Sequence, residues 1–212
     1  MSIIVDRFNK IKSNINSNVN IIAVSKTFTY DHIKPLVDFG HIHFGENKVQ
    51  EAENKWVKVK SLNNPPIQLH MIGKLQSNKA KKAVQIFDYI HSLDSEKLAN
   101  ALSKYEKQLN KNIKYFIQVN IGQETQKSGV DPGSVDEFYT YVTNKLNLNV
   151  IGLMAIPPAD GNEDKYFKYL YEANASLELK DLSMGMSADY EKALNHKATF
   201  LRLGSSIFGN RK

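Results

Sequence analysis

One lysine follows a predicted strand at a position where chemistry is often done. Residues 21–24 are a short run of branched apolar residues, typical of a buried strand, and Lys26 comes two residues later. In parallel α/β proteins, ligand sites are built at the carboxyl ends of strands. A lysine there can be partly desolvated, and a neutral lysine amine is a nucleophile toward carbonyl groups. A side chain that merely extends into solvent is the alternative.

Small residues near the end of the chain indicate a phosphate site. Ser187 follows the seventh predicted strand, and Gly204 and Ser205 follow the eighth. A glycine lets the backbone approach a phosphate closely, and serine hydroxyls can donate hydrogen bonds to it. Taken alone, these residues favour an ordinary turn over a phosphate site.

A nucleophilic lysine opposite a phosphate site predicts pyridoxal 5′-phosphate as the ligand. That cofactor carries an aldehyde, a phosphate and a ring nitrogen that needs a partner. Arg202 lies two residues before Gly204, so both face the same side of one strand, and Arg202 could contact the ring nitrogen. A guanidinium there would keep that nitrogen unprotonated, because a second adjacent positive charge is disfavoured.

Eight predicted strands alternate with helices along the chain. The strands are expected at 21–24, 41–47, 67–72, 89–93, 115–121, 150–156, 182–186 and 199–203. An amphipathic helix around Ile4 and Phe8 precedes the first strand, and Asp31 is expected to cap the next helix. This alternation predicts an α/β fold, a (β/α)8 TIM barrel with an extra N-terminal helix. An open doubly wound sheet is the alternative. With 212 residues, a single domain over 1–212 is expected.

Composition excludes several classes of function. The chain has no cysteine, which rules out disulfides and thiol catalysis. Its net charge of +6 comes from lysines spread along the sequence, without the compact basic block typical of nucleic-acid binding. No long apolar segment or signal pattern is present, so a cytoplasmic protein is expected. His41 and His43 share one strand face, but without a third ligand at matching spacing, packing is favoured over a metal site.

Six short stretches carry a family resemblance. They are AVSKT at 23–27, FGEN at 44–47, HMIGKLQSNK at 70–79, GLM at 152–154, SMGMS at 183–187 and RLGSSIFG at 202–209. In their residues and in their order, over about 21–211, these stretches resemble the pyridoxal phosphate homeostasis protein family, the YggS/PROSC type. This chain departs mildly from that pattern. Lys74 replaces a frequent proline, Lys48 a common tyrosine and Ser205 the usual threonine, which keeps the hydroxyl.

The resemblance implies a barrel like the amino-terminal domain of alanine racemase, with pyridoxal 5′-phosphate (PLP) held as an aldimine on Lys26. It places Arg202 by the ring nitrogen and Asn47 near the ring, and it expects His70 and Met154 to line the same mouth. The full set of expected cofactor-binding residues is Lys26 (Schiff base), Asn47, His70, Met154, Ser187, Arg202, Gly204 and Ser205.

The same resemblance favours a carrier over an enzyme. Active alanine racemases add a second domain, and a tyrosine from a partner subunit supplies the opposite proton donor. The predicted barrel uses the whole of this chain, so a two-base racemisation has no evident second base. We therefore expect a monomeric PLP carrier or buffer in vitamin B6 and amino-acid homeostasis, with PLP-dependent apo-enzymes as possible recipients. A weak PLP-dependent amino-acid racemase is the alternative.

Overall fold

Eight parallel strands close into a barrel. The computed structural model describes residues 2–62, 66–124, 126 and 128–210, so Arg211, near the end of the stretch that carries the resemblance, lies outside the described residues. The strands are β1 Asn20–Val24, β2 His43–Glu46, β3 Gln68–Met71, β4 Tyr89–Leu93, β5 Lys114–Val119, β6 Asn149–Ala155, β7 Asp181–Met186 and β8 Phe200–Leu203. They pair in sequence order, and β8 returns to β1 from Asn20–Phe200 to Ala23–Leu203. The closed barrel is confirmed, and the open sheet is excluded.

Helices connect the strands on the outside of the barrel. They are α1 Ile3–Lys12, α2 Tyr30–Asp38, α3 Val49–Trp56, α4 Ala80–Ile86, α5 Glu96–Leu109, α6 Val135–Thr140, α7 Glu163–Ser176, α8 Tyr190–Asn195 and α9 Ser205–Phe208. Helix α1 precedes the first strand, which confirms the extra N-terminal helix. No described helix has the length and apolarity that crossing a membrane would require.

The start of α2 differs from the sequence prediction. Thr29, not Asp31, is the N-cap residue, and its side chain accepts a hydrogen bond from the backbone N–H of His32. An N-cap needs an extended backbone, and Thr29 has φ −70° and ψ 161°. Asp31 lies in the first turn instead, where a carboxylate still complements the helix dipole.

The core has two parts, and the smaller one matters for the site. Most buried apolar side chains pack between the strands and the helices. A second cluster fills the barrel interior with Ile22, Tyr89, Phe116, Met154 and Phe200. The rings of Phe116 and Phe200 meet nearly edge-on at 5.2 Å between centroids. Side chains therefore fill the interior of the barrel, and open space remains at the carboxyl ends of the strands.

Candidate ligand-binding site

A cavity of about 290 Å³ lies at the carboxyl ends of the strands. It is lined by Val24, Lys26, Asn47, Ile72, Ile156, Met186, Ser187, Ala188, Arg202, Gly204 and Ser205. Six of the eight residues expected from the sequence are brought together here: Lys26, Asn47, Ser187, Arg202, Gly204 and Ser205. We call this space the strand-end cavity.

Four other clefts of the described residues are larger than this cavity, and the two largest measure about 690 and 480 Å³. Both reach Val19, just before β1, so they open near the amino-terminal ends of the strands. In barrels of this architecture, sites form at the opposite face, where the loops after the strands converge. The strand-end cavity is smaller, but it is the one that holds Lys26 and Arg202 together.

His70 and Met154, which the sequence analysis expects at the mouth of the site, are not among the residues that line the strand-end cavity. Both are fully buried in the barrel beneath it. The lining residues that directly follow those two strands are Ile72 and Ile156, each two positions further along than His70 and Met154. Side chains two apart share one face of a strand, so the sequence identifies the correct face. How far along a strand a residue must lie to reach the cavity depends on how neighbouring strands are staggered, which the sequence does not show.

Hydrogen-bond donors converge where β7 and β8 end. The Ser187 Oγ lies 3.3 Å from the backbone nitrogen of Gly204 and 3.4 Å from that of Ser206. The Ser206 hydroxyl is 3.0 Å from the same oxygen. Ser205 is exposed at the edge of this group. We call Ser187, Gly204, Ser205 and Ser206 the phosphate cradle, and Ser206 is the member that sequence reasoning missed, although it adjoins Ser205.

The Arg202 side chain is buried and bonded to neutral oxygens. It is 4% exposed; its Nη1 donates to the Ser183 Oγ at 2.7 Å, and its Nη2 donates to the Ala155 carbonyl at 2.9 Å. Burial lowers the pKa of Arg202 to about 10, so the guanidinium remains protonated at neutral pH. Together with Lys26, it makes the strand-end cavity electropositive, because the described lining residues include no carboxylate; Asp189, whose charge raises the pKa of Arg202, lies outside that lining.

Three histidines extend the hydrogen bonding of Arg202 through the barrel. The Ser183 Oγ lies 2.8 Å from the Nδ1 of His91, whose Nε2 lies 2.9 Å from the Nδ1 of His70. The His70 Nε2 in turn lies 3.0 Å from the Nδ1 of His43. We call His43, His70 and His91 the histidine chain. Sequence reasoning missed Ser183 and His91, although both lie on the strand faces that carry the other interior residues.

Burial keeps the histidine chain neutral. Desolvation lowers the pKa of His43 to about 4 and places the pKa values of His70 and His91 well below the ordinary value. The charge of Arg202 lowers that of His91 further. A neutral imidazole has one donor and one acceptor nitrogen, which allows an unbroken chain with a single direction. These hydrogen bonds thus join the guanidinium to neutral partners, while the charge of Asp189 acts on it and opposes the lowering of its pKa by burial.

His41 is outside this chain. Its ring packs against Phe8 at 4.6 Å between centroids, and its Nε2 lies 2.9 Å from the His43 carbonyl. Burial lowers the pKa of His41 to about 3. In the part of the chain that the structure describes, no group of three His, Cys, Asp or Glu side chains could hold a metal ion.

A closed barrel with a lysine, an arginine and a phosphate cradle around one cavity defines a class of protein. The family model described as "Alanine racemase, N-terminal domain" matches residues 2–212. An alanine racemase of Clostridium difficile 630 superposes with a TM-score of 0.76 at 15% identity, covering 98% of this chain and 56% of that chain. That likeness concerns the fold alone.

More similar proteins narrow the class. A "Pyridoxal phosphate homeostasis protein" of Aquifex aeolicus (strain VF5) is 37% identical over 201 residues, which cover 91% of this chain and 87% of the relative. PipY of Synechococcus elongatus PCC7942, solved with PLP bound, has a TM-score of 0.89 at 34% identity and covers 97% of this chain and 100% of that chain. This chain belongs to the family of pyridoxal phosphate homeostasis proteins.

Proposed function

We propose that this chain binds PLP in the strand-end cavity and serves as a carrier or buffer in vitamin B6 and amino-acid homeostasis. The observation that carries the proposal is the position of Lys26, Arg202 and the phosphate cradle around one cavity. The family relatives are named for PLP homeostasis, and PipY was solved with PLP bound, which supports the choice of ligand.

The donor set fits the cofactor group by group. When bound, PLP supplies an aldehyde carbon that a lysine amine can join with loss of one water. The backbone N–H groups of Gly204 and Ser206, which donate here to the Ser187 Oγ, and the Ser187 hydroxyl itself are donors suited to its phosphate. The lining residues that the structure describes include two cationic side chains and no carboxylate, which suits its negative charge.

Each residue has a distinct role in this proposal. Lys26 holds the cofactor covalently, Arg202 faces the ring nitrogen, and Asn47 contacts the ring edge. Ser187, Gly204 and Ser205 bind the phosphate, with Ser206 added to them. His70 and Met154 act from beneath: His70 through the hydrogen bonds that lead to Arg202, and Met154 by filling the barrel under the ring.

The ionisable residues that line the strand-end cavity favour the carrier role over racemisation. Among those that the structure describes, Lys26 and Arg202 are the ionisable side chains. Racemisation by two bases needs a proton donor on each face of the reacting carbon, and a guanidinium is held protonated throughout the working pH range. A weak racemase remains the second candidate because the fold is shared with alanine racemase.

We further infer that residues 1–212 act as one PLP-binding domain, as a monomer in the cytoplasm, and that PLP-dependent apo-enzymes receive the cofactor. The family model spans residues 2–212, which supports a single domain. Light scattering on the purified protein tests the monomer, and the appearance of activity in an added apo-enzyme tests delivery.

The first experiment compares the visible spectra of the wild-type protein and Lys26→Ala, before and after borohydride, followed by peptide mapping. A yellow wild-type protein that is labelled on Lys26, beside an unlabelled variant, supports the proposal. A colourless protein that takes up no added PLP contradicts it. Incubation with single L-amino acids in deuterium oxide then separates the candidates, because fast exchange of the α-proton would favour the racemase.

A further inference from the structure

The loop that carries Lys26 is a tight turn with an unusual residue in it. The backbone N–H of Phe28 donates to the Ser25 carbonyl at 3.2 Å, so Lys26 and Thr27 are the central residues of the turn. Thr27 has φ +71°, as the second central residue of a type II turn does. Glycine is the usual residue there, since a β-branched side chain at positive φ is strained.

Glu51 holds this strained peptide from outside the turn. Its Oε1 accepts a hydrogen bond from the backbone N–H of Thr27 at 2.5 Å. Type I and type II turns differ by a flip of the central peptide, here the one that joins Lys26 to Thr27. The Thr27 N–H belongs to that peptide, so its bond to Glu51 selects one of the two orientations. Without this bond, Thr27 would relax toward negative φ.

Lys55 fixes Glu51 in turn. The Lys55 Nζ donates to Glu51 Oε1 at 3.0 Å, to Glu46 Oε1 at 2.8 Å and to the Ser25 carbonyl at 2.7 Å. An ammonium has three donors, so these three acceptors use all of them. The Lys55 side chain is only 7% exposed. The cation therefore connects α3 and β2 to the first residue of the turn.

Glu46 anchors the network at the end of β2. It is fully buried, and its Oε1 also accepts from the Ser25 Oγ at 2.7 Å and from the Trp56 Nε1 at 2.9 Å. Both neighbours of Lys26 in the chain are thus bound by this network: Ser25 by its carbonyl and hydroxyl, and Thr27 by its N–H. Lys26 itself projects to the strand-end cavity between them.

We propose that Glu51, held by Lys55, is a positioning residue that sets the Lys26–Thr27 peptide and thereby aims the Lys26 side chain into the strand-end cavity. The inference rests on the proposed function. A flip of that peptide moves the Lys26 carbonyl carbon across the line between the two Cα atoms and tilts the Cα–Cβ bond. A lysine side chain is long, so it enlarges this tilt at the Nζ, and small misplacements of a reacting atom are costly.

The test separates attachment to Lys26 from binding in the cavity. Attachment is measured as the rate at which PLP becomes joined to Lys26, after borohydride has fixed it there. Binding is the affinity for pyridoxine 5′-phosphate, which has a hydroxymethyl group in place of the aldehyde and cannot join the lysine. For Glu51→Ala we expect attachment to fall at least about tenfold, with the affinity for pyridoxine 5′-phosphate changed by less than about twofold.

Three further variants identify the cause. Glu51→Gln keeps an acceptor oxygen and should attach PLP nearly as the wild type does. Thr27→Gly added to Glu51→Ala should recover most of the lost rate, because glycine adopts positive φ without strain. Glu53→Ala is the matched control, since Glu53 lies on the same helix α3 but pairs with Lys82. We expect it to leave attachment unchanged.

The outcomes are distinguishable. Wild-type protein that takes no label at Lys26 overturns the proposed function and this inference with it. If the wild-type protein is labelled at Lys26 and Glu51→Ala attaches PLP at the same rate, this inference alone is overturned. The inference is also overturned if Glu51→Gln attaches PLP as slowly as Glu51→Ala and the added Thr27→Gly substitution does not restore the rate. The negative charge of Glu51, and not its hydrogen bond to Thr27, would then be responsible. Failure of Glu51→Ala to fold even with Thr27→Gly would make Glu51 a structural residue and contradict the proposal.

Discussion

The Nη1 of Arg202 lies 2.7 Å from the Ser183 Oγ, and this contact joins the strand-end cavity to the interior of the barrel. The serine oxygen accepts from the guanidinium and is also within 2.8 Å of His91. Arg202 is therefore hydrogen-bonded to neutral groups while it also lines the strand-end cavity. A carboxylate in place of Ser183 would compensate the guanidinium charge; the hydroxyl leaves that charge available to a ligand.

Ser183→Ala should destabilise the protein without changing its fold. The substitution leaves a buried guanidinium donor and the His91 nitrogen without their shared partner, which costs about 1–3 kcal/mol for such a group. Urea unfolding at pH 7 measures the loss. Ser176→Ala is the control, because that hydroxyl is exposed and bonds only to its own helix. Equal stability of the two variants would contradict the role of Ser183.

The histidine chain should make the protein sensitive to acid. The pKa values of His43, His70 and His91 are lowered in the folded state from the ordinary 6.5, so below pH 6.5 the unfolded chain binds more protons. Their contribution to stability is complete above pH 6.5 and is lost as the pH falls. Each histidine adds up to about 1.4 kcal/mol per pH unit to the slope of the free energy of unfolding against pH.

His91→Gln isolates that slope. Burial raises the pKa values of Glu46 and Asp181, which act in the opposite direction, but those groups are the same in the variant. Chemical unfolding of both proteins between pH 7 and pH 5 gives the two slopes. We expect a shallower slope for the variant, and identical slopes would show that His91 titrates normally in the folded protein.

Ser187→Ala should weaken the binding of PLP and of pyridoxine 5′-phosphate alike. A hydrogen bond to a charged group contributes about 1.5–3 kcal/mol, which corresponds to roughly 10- to 150-fold in affinity. Equilibrium titration followed by absorbance measures the change. Ser95→Ala is the control, since Ser95 is not among the residues that line the strand-end cavity and its hydroxyl donates to Asp94 instead. An unchanged affinity for pyridoxine 5′-phosphate would remove Ser187 from the phosphate site.

Gly73→Ala should displace Asn47 and reduce PLP affinity. A Cβ on Gly73 would lie 2.4 Å from the Asn47 carbonyl oxygen, a backbone atom that no change of rotamer can move away. Overpacking of this kind costs about 1–3 kcal/mol. Gly133→Ala is the matched control, where the Cβ meets only the Asp131 side chain at 3.3 Å. Thermal unfolding and PLP titration of both variants test the difference.

Much of the site could be predicted from strand ends and residue types. Lys26, Arg202 and Gly204 line the strand-end cavity as the strand periodicity indicated. The depth at which His70 and Met154 lie could not be predicted, because the stagger of the strands depends on how the whole barrel closes. Glu46, Glu51 and Lys55 were not predicted as a network, since they meet only when β2 and α3 fold beside the turn that carries Lys26.

The sequence by itself determined which residues could act on an aldehyde and a phosphate, and on which strand faces they lie, because alternation along a strand is a local property. It also predicted eight strands alternating with helices, but only the tertiary structure decided that they close into a barrel and do not form an open sheet. Only the tertiary structure decided the depth of each side chain and the path from Arg202 through Ser183 to His91 and His70. Those contacts join residues up to 92 positions apart in sequence, and their geometry follows from barrel closure and core packing.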